Sequence, residues 1–151
     1  MAEAATHIFR VSLKDRRSVR RDIEIESAKT LADLAKAIVQ AFDFDFDHAF
    51  GFYPETKGRA VMRGRPAYEL FADMDAATEA RSVRKTKVAQ AFTEVGQAMI
   101  FLFDYGDEWL FRVELTAVGR KEAKARYPRV LARAGASPVQ YPDPDDEEND
   151  T

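Results

Sequence analysis

Residues 101–115 read FLFDYGDEWLFRVEL, and the fold turns on how this stretch is parsed. Residues 98–104 form a strongly apolar run, and in residues 109–118 apolar and polar side chains alternate; Tyr105, Gly106, Asp107 and Glu108 separate the two. A period of two places successive side chains on opposite faces of a strand, so two such runs around a short glycine-containing loop predict a hairpin. Its apolar character predicts a central position in the sheet. Gly106 is expected to adopt a positive backbone angle, while Asp104 or Asp107 bonds nearby amides.

Working outward, residues 7–13 place Phe9, Val11 and Leu13 on one face and Arg10 and Ser12 on the other. After a charged turn, Val19, Ile23 and Ile25 alternate with Arg20, Asp22, Glu24 and Glu26, with Arg21 on the apolar side. This predicts a second hairpin. Thr30 followed by Asp33 is an approximate capping box, and Leu31, Leu34, Ala35, Ile38, Val39 and Phe42 recur at helical spacing. A helix over residues 31–42 should lay that stripe on the sheet, because a hairpin alone is marginal in water.

Residues 42–53 alternate aromatic and polar side chains, which predicts a strand beginning near His48. Residues 54–66, with Lys57, Gly58, Arg59, Arg63, Gly64 and Arg65, read as a basic loop. A short strand is expected over residues 67–71, then a short helix capped by Thr86, presenting Val88, Ala91, Phe92 and Val95 and ended by Gly96. Pro128 restricts residues 120–133 to a short or broken helix. The fold class expected is α+β: a mainly antiparallel sheet of two hairpins plus one or two strands, with one main and one short helix packed on it. Residues 1–141 are expected to form one domain, and residues 142–151 a disordered acidic tail.

Composition narrows the function. The 151 residues are 46% hydrophobic and 11% aromatic, values of a chain with a real core. Cysteine is absent, which excludes disulfides, thiolate catalysis and cysteine-ligated metal centres. The longest apolar stretch, residues 98–103, is far short of a bilayer span, and Met1-Ala2-Glu3-Ala4 lacks a basic flank. A cytoplasmic bacterial or archaeal protein without membrane association is therefore expected. The formal charge of −3 hides an asymmetry: without Asp143, Asp145, Asp146, Glu147, Glu148 and Asp150, 23 basic residues face 20 acidic ones. Such a tail either stays solvated or covers a basic surface.

Several constellations could carry chemistry. Asp43, Asp45, Asp47 and His48 resemble a string of oxygen ligands, but Phe44 and Phe46 interrupt it, and the glycine and distant glutamate of a calcium loop are missing. A structural turn or edge is expected there, with the three aspartates on one face, and no metal or cofactor is assigned. Phe9-Arg10-Val11-Ser12 echoes the start of serine recombinases, yet nothing else of that site can be placed, so Ser12 is read as an outward strand residue. Arg16, Arg17, Arg20 and Arg21 form the densest basic cluster and could follow a phosphate backbone, although Asp15, Asp22, Glu24 and Glu26 lie among them and favour an ordinary solvated surface.

Phe103, Asp104, Tyr105, Gly106, Asp107 and Trp109 together resemble the hairpin motif of the plasmid pRiA4b ORF-3-like family. Asp45, His48 and Phe50 are similar to a following aspartate, histidine and phenylalanine of that family, and Tyr127-Pro128 and Gly135-Ala136-Ser137-Pro138 to its C-terminal elements. The resemblance covers residues 7–141. It departs where the family's usual cysteines are missing, where Pro138-Val139-Gln140-Tyr141 replaces a proline-proline-glutamate-aspartate, and where Phe111 stands for a frequent histidine. The family is essentially uncharacterised, and some members resemble passenger proteins of insertion elements. A structural turn is the first expectation for this hairpin motif; the functional alternative gathers His48, Asp104, Asp107 and Trp109 into a shallow pocket at one end of the sheet. The leading expectation is a non-enzymatic binding module for nucleic acid or a protein partner, linked to mobile elements. The alternative is a small hydrolase or metal-dependent enzyme using His48 with Asp104 and Asp107.

Overall fold

The computed structural model describes residues 5–55, 62, 64–74 and 79–141. Lys57, Gly58, Arg59 and Arg63 of the expected basic loop, and the acidic segment 142–151, lie outside the described residues. The elements in chain order are β1 (Ala5–Leu13), β2 (Arg16–Glu26), α1 (Leu31–Ala41), β3 (Phe50–Pro54), β4 (Tyr68–Glu69), β5 (Arg81–Ser82), α2 (Val88–Ala91), β6 (Ala98–Phe103), β7 (Trp109–Arg120) and β8 (Arg129–Ala134). The strands form one sheet in the order β5-β4-β3-β6-β7-β1-β2-β8, antiparallel except where β4 meets β5.

The fold is α+β, and both expected hairpins are present: Phe9 pairs with Ile23 across β1 and β2, and Phe101 with Phe111 across the central β6 and β7. The sheet is larger than expected, however, with eight strands among the described residues in place of five or six. β8 forms where the charged residues 120–133 show no alternation. As an edge strand it leaves Leu131, Ala132 and Arg133 exposed, and a bulge opposite Asp22 and Ile23 interrupts its period.

Local chemistry explains the main helix. The Thr30 hydroxyl accepts from the Asp33 N–H (3.2 Å), and the Asp33 carboxylate accepts from the Thr30 N–H (3.0 Å), which closes the capping box. Leu31, Leu34, Ala35, Ile38 and Val39 are buried against the sheet, each large side chain contributing about 1.5–3 kcal/mol. At the other end Asp43 takes φ 63°, the left-handed conformation that commonly ends a helix, and Phe44 N–H returns to the Val39 carbonyl (3.0 Å). The chain therefore turns back and drives Phe44 into the core, its ring 4.8 Å from that of Trp109. Residues 43–48 consequently form a loop, and β3 begins at Phe50, two residues beyond His48.

Two smaller expectations are also corrected. Thr86 does not cap α2: its hydroxyl donates to the Ser82 carbonyl (2.6 Å), and Lys87 occupies the cap, with its N–H on the Gln90 side chain (2.8 Å). Val88, Ala91 and Phe92 are buried while Val95 is exposed, and Gly96 (φ 97°) lies beyond the end of the helix, in the approach to β6. Gly106 is not the residue with a positive angle; Asp104 (φ 68°) and Glu108 (φ 53°) take that conformation on either side of it.

The side of the sheet facing α1 carries the main core, from Phe9 and Ile23 through Phe111 and Phe101 to Phe52. The opposite side has a smaller cluster, Tyr53, Ala67, Ile100 and Leu102, with Tyr105 and Leu110 packed on it. There Arg10 pairs with Asp22 (3.1 Å), and Arg112 with Glu55 (2.5 Å) and Glu114. Ser12 sits beside Arg20 and Arg112 in the ladder and is buried (4% exposed), so it is not an outward residue open to solvent. Among the described residues no helix is long and apolar enough to cross a membrane.

Candidate functional site

Asp104 is the hinge of the site, since it ends β6 and opens the hairpin loop. Its Oδ1 accepts from the N–H groups of Gly106 (3.0 Å) and Asp107 (3.2 Å), an arrangement that holds the loop as a side-chain turn. Its own N–H donates to the Ala49 carbonyl (2.9 Å), tying the hairpin to the loop before β3. Oδ2 remains, 3.4 Å from Nε2 of His48.

His48 sits in that loop with three oxygens around Nε2: the Tyr141 hydroxyl at 2.5 Å, Asp104 at 3.4 Å and Asp47 at 3.5 Å. The Tyr141 hydroxyl donates to Asp47 Oδ2 (2.9 Å), so in this arrangement His48 is the donor to the tyrosine oxygen. Desolvation, the hydrogen bond to Asp47, and the negative charges of Asp47, Asp104 and Asp107 push the Tyr141 hydroxyl up to about 12.

Gln140 completes the clamp. Its carbonyl oxygen accepts from the Asp45 N–H (2.8 Å), and its amide donates to the Asp45 carbonyl (3.1 Å), so one buried side chain pairs with the backbone of the loop as a strand would. Three residues earlier in the chain, Ser137 donates to Asp43 (2.7 Å). Residues 137–141 thus strap the loop of three aspartates, and the aspartates part company: Asp43 takes Ser137, Asp45 is held through its backbone, and Asp47 takes Tyr141. They do not share one face. Among the described residues no group of three or more His, Asp or Glu is placed to hold a metal ion.

Beside the strap opens a cleft of about 740 Å³, bounded by the β1–β2 turn, the β6–β7 loop and the strap itself. Leu13, Trp109, Leu110 and Pro138 supply apolar surface, Asp15, Arg16, Asp107 and Glu108 supply charge, and Gln140 and Tyr141 close one wall. The Trp109 indole N–H is buried and has no acceptor among the described residues. His48 does not line this cleft; it borders a neighbouring hollow of about 400 Å³ with Phe46, Leu70, Met74 and Arg84.

The structure therefore brings His48 to Asp104, places Asp107 and Trp109 together in the cleft, and joins the two pairs through Tyr141. Gln140 and Tyr141 were missed by sequence reasoning. They stand where the resemblance shows glutamate and aspartate, and that replacement was the available signal.

The arginine cluster divides. Arg16, Arg17 and Arg20 are exposed and make no ion pair with the described residues, whereas Arg21 is buried (2% exposed). Its guanidinium donates to the carbonyls of Ala41 (3.0 Å), Arg20 (2.7 Å) and Ala134 (3.0 Å) and to the Ser137 hydroxyl (2.9 Å), and stacks over Phe42 at 4.9 Å. Burial, and then the charge of Arg133, lower its pKa, while Asp43 opposes them. Arg21 is a peg joining α1, β2 and the strap, and it is not available to a phosphate.

The model of the family described as Plasmid pRiA4b ORF-3-like protein matches residues 5–141, and the chain belongs to that family. None of the curated proteins compared with the chain matches it. Among solved structures, a protein of unknown function, MM3350 from Methanosarcina mazei Go1, is similar, with a TM-score of 0.73 and 20% identity over 91% of this chain and 73% of that one. At that identity the likeness concerns the fold.

Proposed function

We propose that this domain is a cytoplasmic binding module whose ligand site is the cleft between the central hairpin loop and the C-terminal strap. One observation carries the reading: a cleft of about 740 Å³ combines apolar surface from Leu13, Trp109, Leu110 and Pro138 with charges at its rim that form no ion pair with the described residues, the composition of a recognition surface. Two of the three groups that an enzyme would use are engaged instead. Asp104 holds its own loop, and Nε2 of His48 is engaged by Tyr141. Neither His48 nor Asp104 lines the cleft.

The test starts with a pull-down with and without nuclease, followed by hydrogen exchange on the recovered complex. Capture that survives nuclease, with new protection at residues 107–110 and 138–141, is the expected outcome. Protection confined to other elements would remove the cleft from the reading. The enzymatic alternative, with His48, Asp104 and Asp107 acting in hydrolysis, rests on the 3.4 Å approach of His48 to Asp104. A hydrolytic activity abolished in a folded His48→Ala variant would establish it in place of binding.

A nucleic-acid partner, and with it a link to mobile elements, draws on the exposed Arg16, Arg17 and Arg20. Alanine replacement of these three must then weaken DNA or RNA binding more than replacement of Arg126, Arg129 and Arg133, and binding must fall steeply with salt.

A further inference from the structure

We infer that the cleft takes a lysine- or arginine-bearing segment of a partner protein, an inference that rests on the cleft being a binding site and goes on to name its ligand. Three exposed carboxylates, Asp15, Asp107 and Glu108, face the cleft against one cation, Arg16. None of the three forms an ion pair with the described residues, so each is free to meet a charge brought by a ligand. Behind the cleft wall, Asp47 accepts from the Tyr141 hydroxyl (2.9 Å) and Asp104 lies 3.4 Å from the His48 ring that meets the same hydroxyl, so two further carboxylates back this wall. From Tyr141 the chain continues into a segment bearing six more carboxylates between Asp143 and Asp150.

A concave, partly apolar surface in a negative field concentrates cations and repels phosphates. The cleft is therefore poorly suited to nucleic acid, whose binding depends on neutralised phosphates. The apolar surface calls for more than a bare cation. A lysine or arginine covers such surface with its aliphatic stem while its head reaches the carboxylates, and neighbouring apolar residues of the same segment would fill the rest. Tyr141, about half exposed, adds an aromatic face of the kind that attracts ammonium and guanidinium groups.

The experiment uses the full chain and the fluorescence of Trp109, the only tryptophan, which reports directly on the cleft. The probes are synthetic peptides of about ten residues with alternating leucine and lysine, leucine and glutamate, or leucine and serine, together with a single-stranded DNA of similar length, titrated at low and high salt. The lysine peptide should perturb Trp109 at least tenfold more tightly than the serine peptide, with the glutamate peptide and DNA inert. Each exposed charge contact is worth at most a few-fold, so Asp15→Asn, Asp107→Asn and Glu108→Gln together should weaken the lysine peptide about tenfold while leaving urea stability unchanged. Equal binding of the lysine and serine peptides, indifferent to those substitutions, would overturn the cationic ligand and keep the binding site. If no probe perturbs Trp109, both fall. DNA binding that displaces the peptide would reassign the cleft to nucleic acid and overturn this inference.

Discussion

Replacing Arg21 by methionine separates a structural peg from a surface cation. The guanidinium makes four hydrogen bonds, to Ala41, Arg20, Ala134 and Ser137, and all of them vanish in Arg21→Met while the aliphatic volume is roughly kept. The Ala41 carbonyl belongs to the last turn of α1, where carbonyls lack helical partners and a positive charge is favourable. A buried carbonyl or hydroxyl left without its donor costs about 1–3 kcal/mol, and the lost stacking on Phe42 adds about 0.5–1 kcal/mol. Against this, the variant no longer desolvates a charge, which returns several kcal/mol. The balance is a loss of about 2–4 kcal/mol out of a typical total of about 5–15. Urea unfolding followed by Trp109 fluorescence should show the midpoint falling by about 1–2 M, with Arg17→Met within about 0.5 kcal/mol of the unsubstituted chain. Equal, small effects of the two substitutions would refute the peg and return Arg21 to the surface cluster.

The remaining expectations concern the site and its surroundings. Tyr105 and Tyr141 are both raised to about 12, so the stability they confer is complete below about 10, the ordinary tyrosine value, and is lost as pH climbs through 12. Absorbance at 295 nm should show three phenols titrating late, with Tyr53, raised above the other two chiefly by burial, the last of them, and one of the three missing in Tyr141→Phe. Glu108 holds φ 53° without being glycine, so Glu108→Gly should leave stability unchanged or raise it by up to about 1 kcal/mol in thermal unfolding. A Cβ on Gly51 would stand 2.7 Å from the Tyr105 hydroxyl and 2.9 Å from Tyr53, so Gly51→Ala should cost about 1–3 kcal/mol in the same assay. Truncation after Tyr141 changes the formal charge from −3 to +3, and calorimetry should find lysine-peptide binding weakened and DNA binding strengthened.

The hairpins were legible because alternation is local: a period of two in Phe9, Val11 and Leu13, or in Trp109, Phe111 and Val113, reports which face of a strand is buried wherever that strand lies. The helix was legible for the same reason, its stripe and its capping box both lying within one stretch of chain. The hairpin motif, read as a resemblance, suggested one pocket of His48, Asp104, Asp107 and Trp109; in the structure only Asp107 and Trp109 line the cleft, while His48 approaches Asp104 beside a neighbouring hollow.

What stayed hidden depends on residues distant in the chain. β8 is a strand because β2 offers it an edge, and its own charged sequence carries no such signal. Arg21 looked like its three basic neighbours, and only the approach of α1 and the strap, more than a hundred residues away, supplies the carbonyls and hydroxyl that bury it. Likewise Gln140 and Tyr141 gain their roles from Asp45, Asp47 and His48 at separations above ninety residues. Periodicity and local turn chemistry determine which elements form. Which polar groups meet, and so where the cleft lies, is decided by the packing that brings the C-terminal strap across the loop after α1.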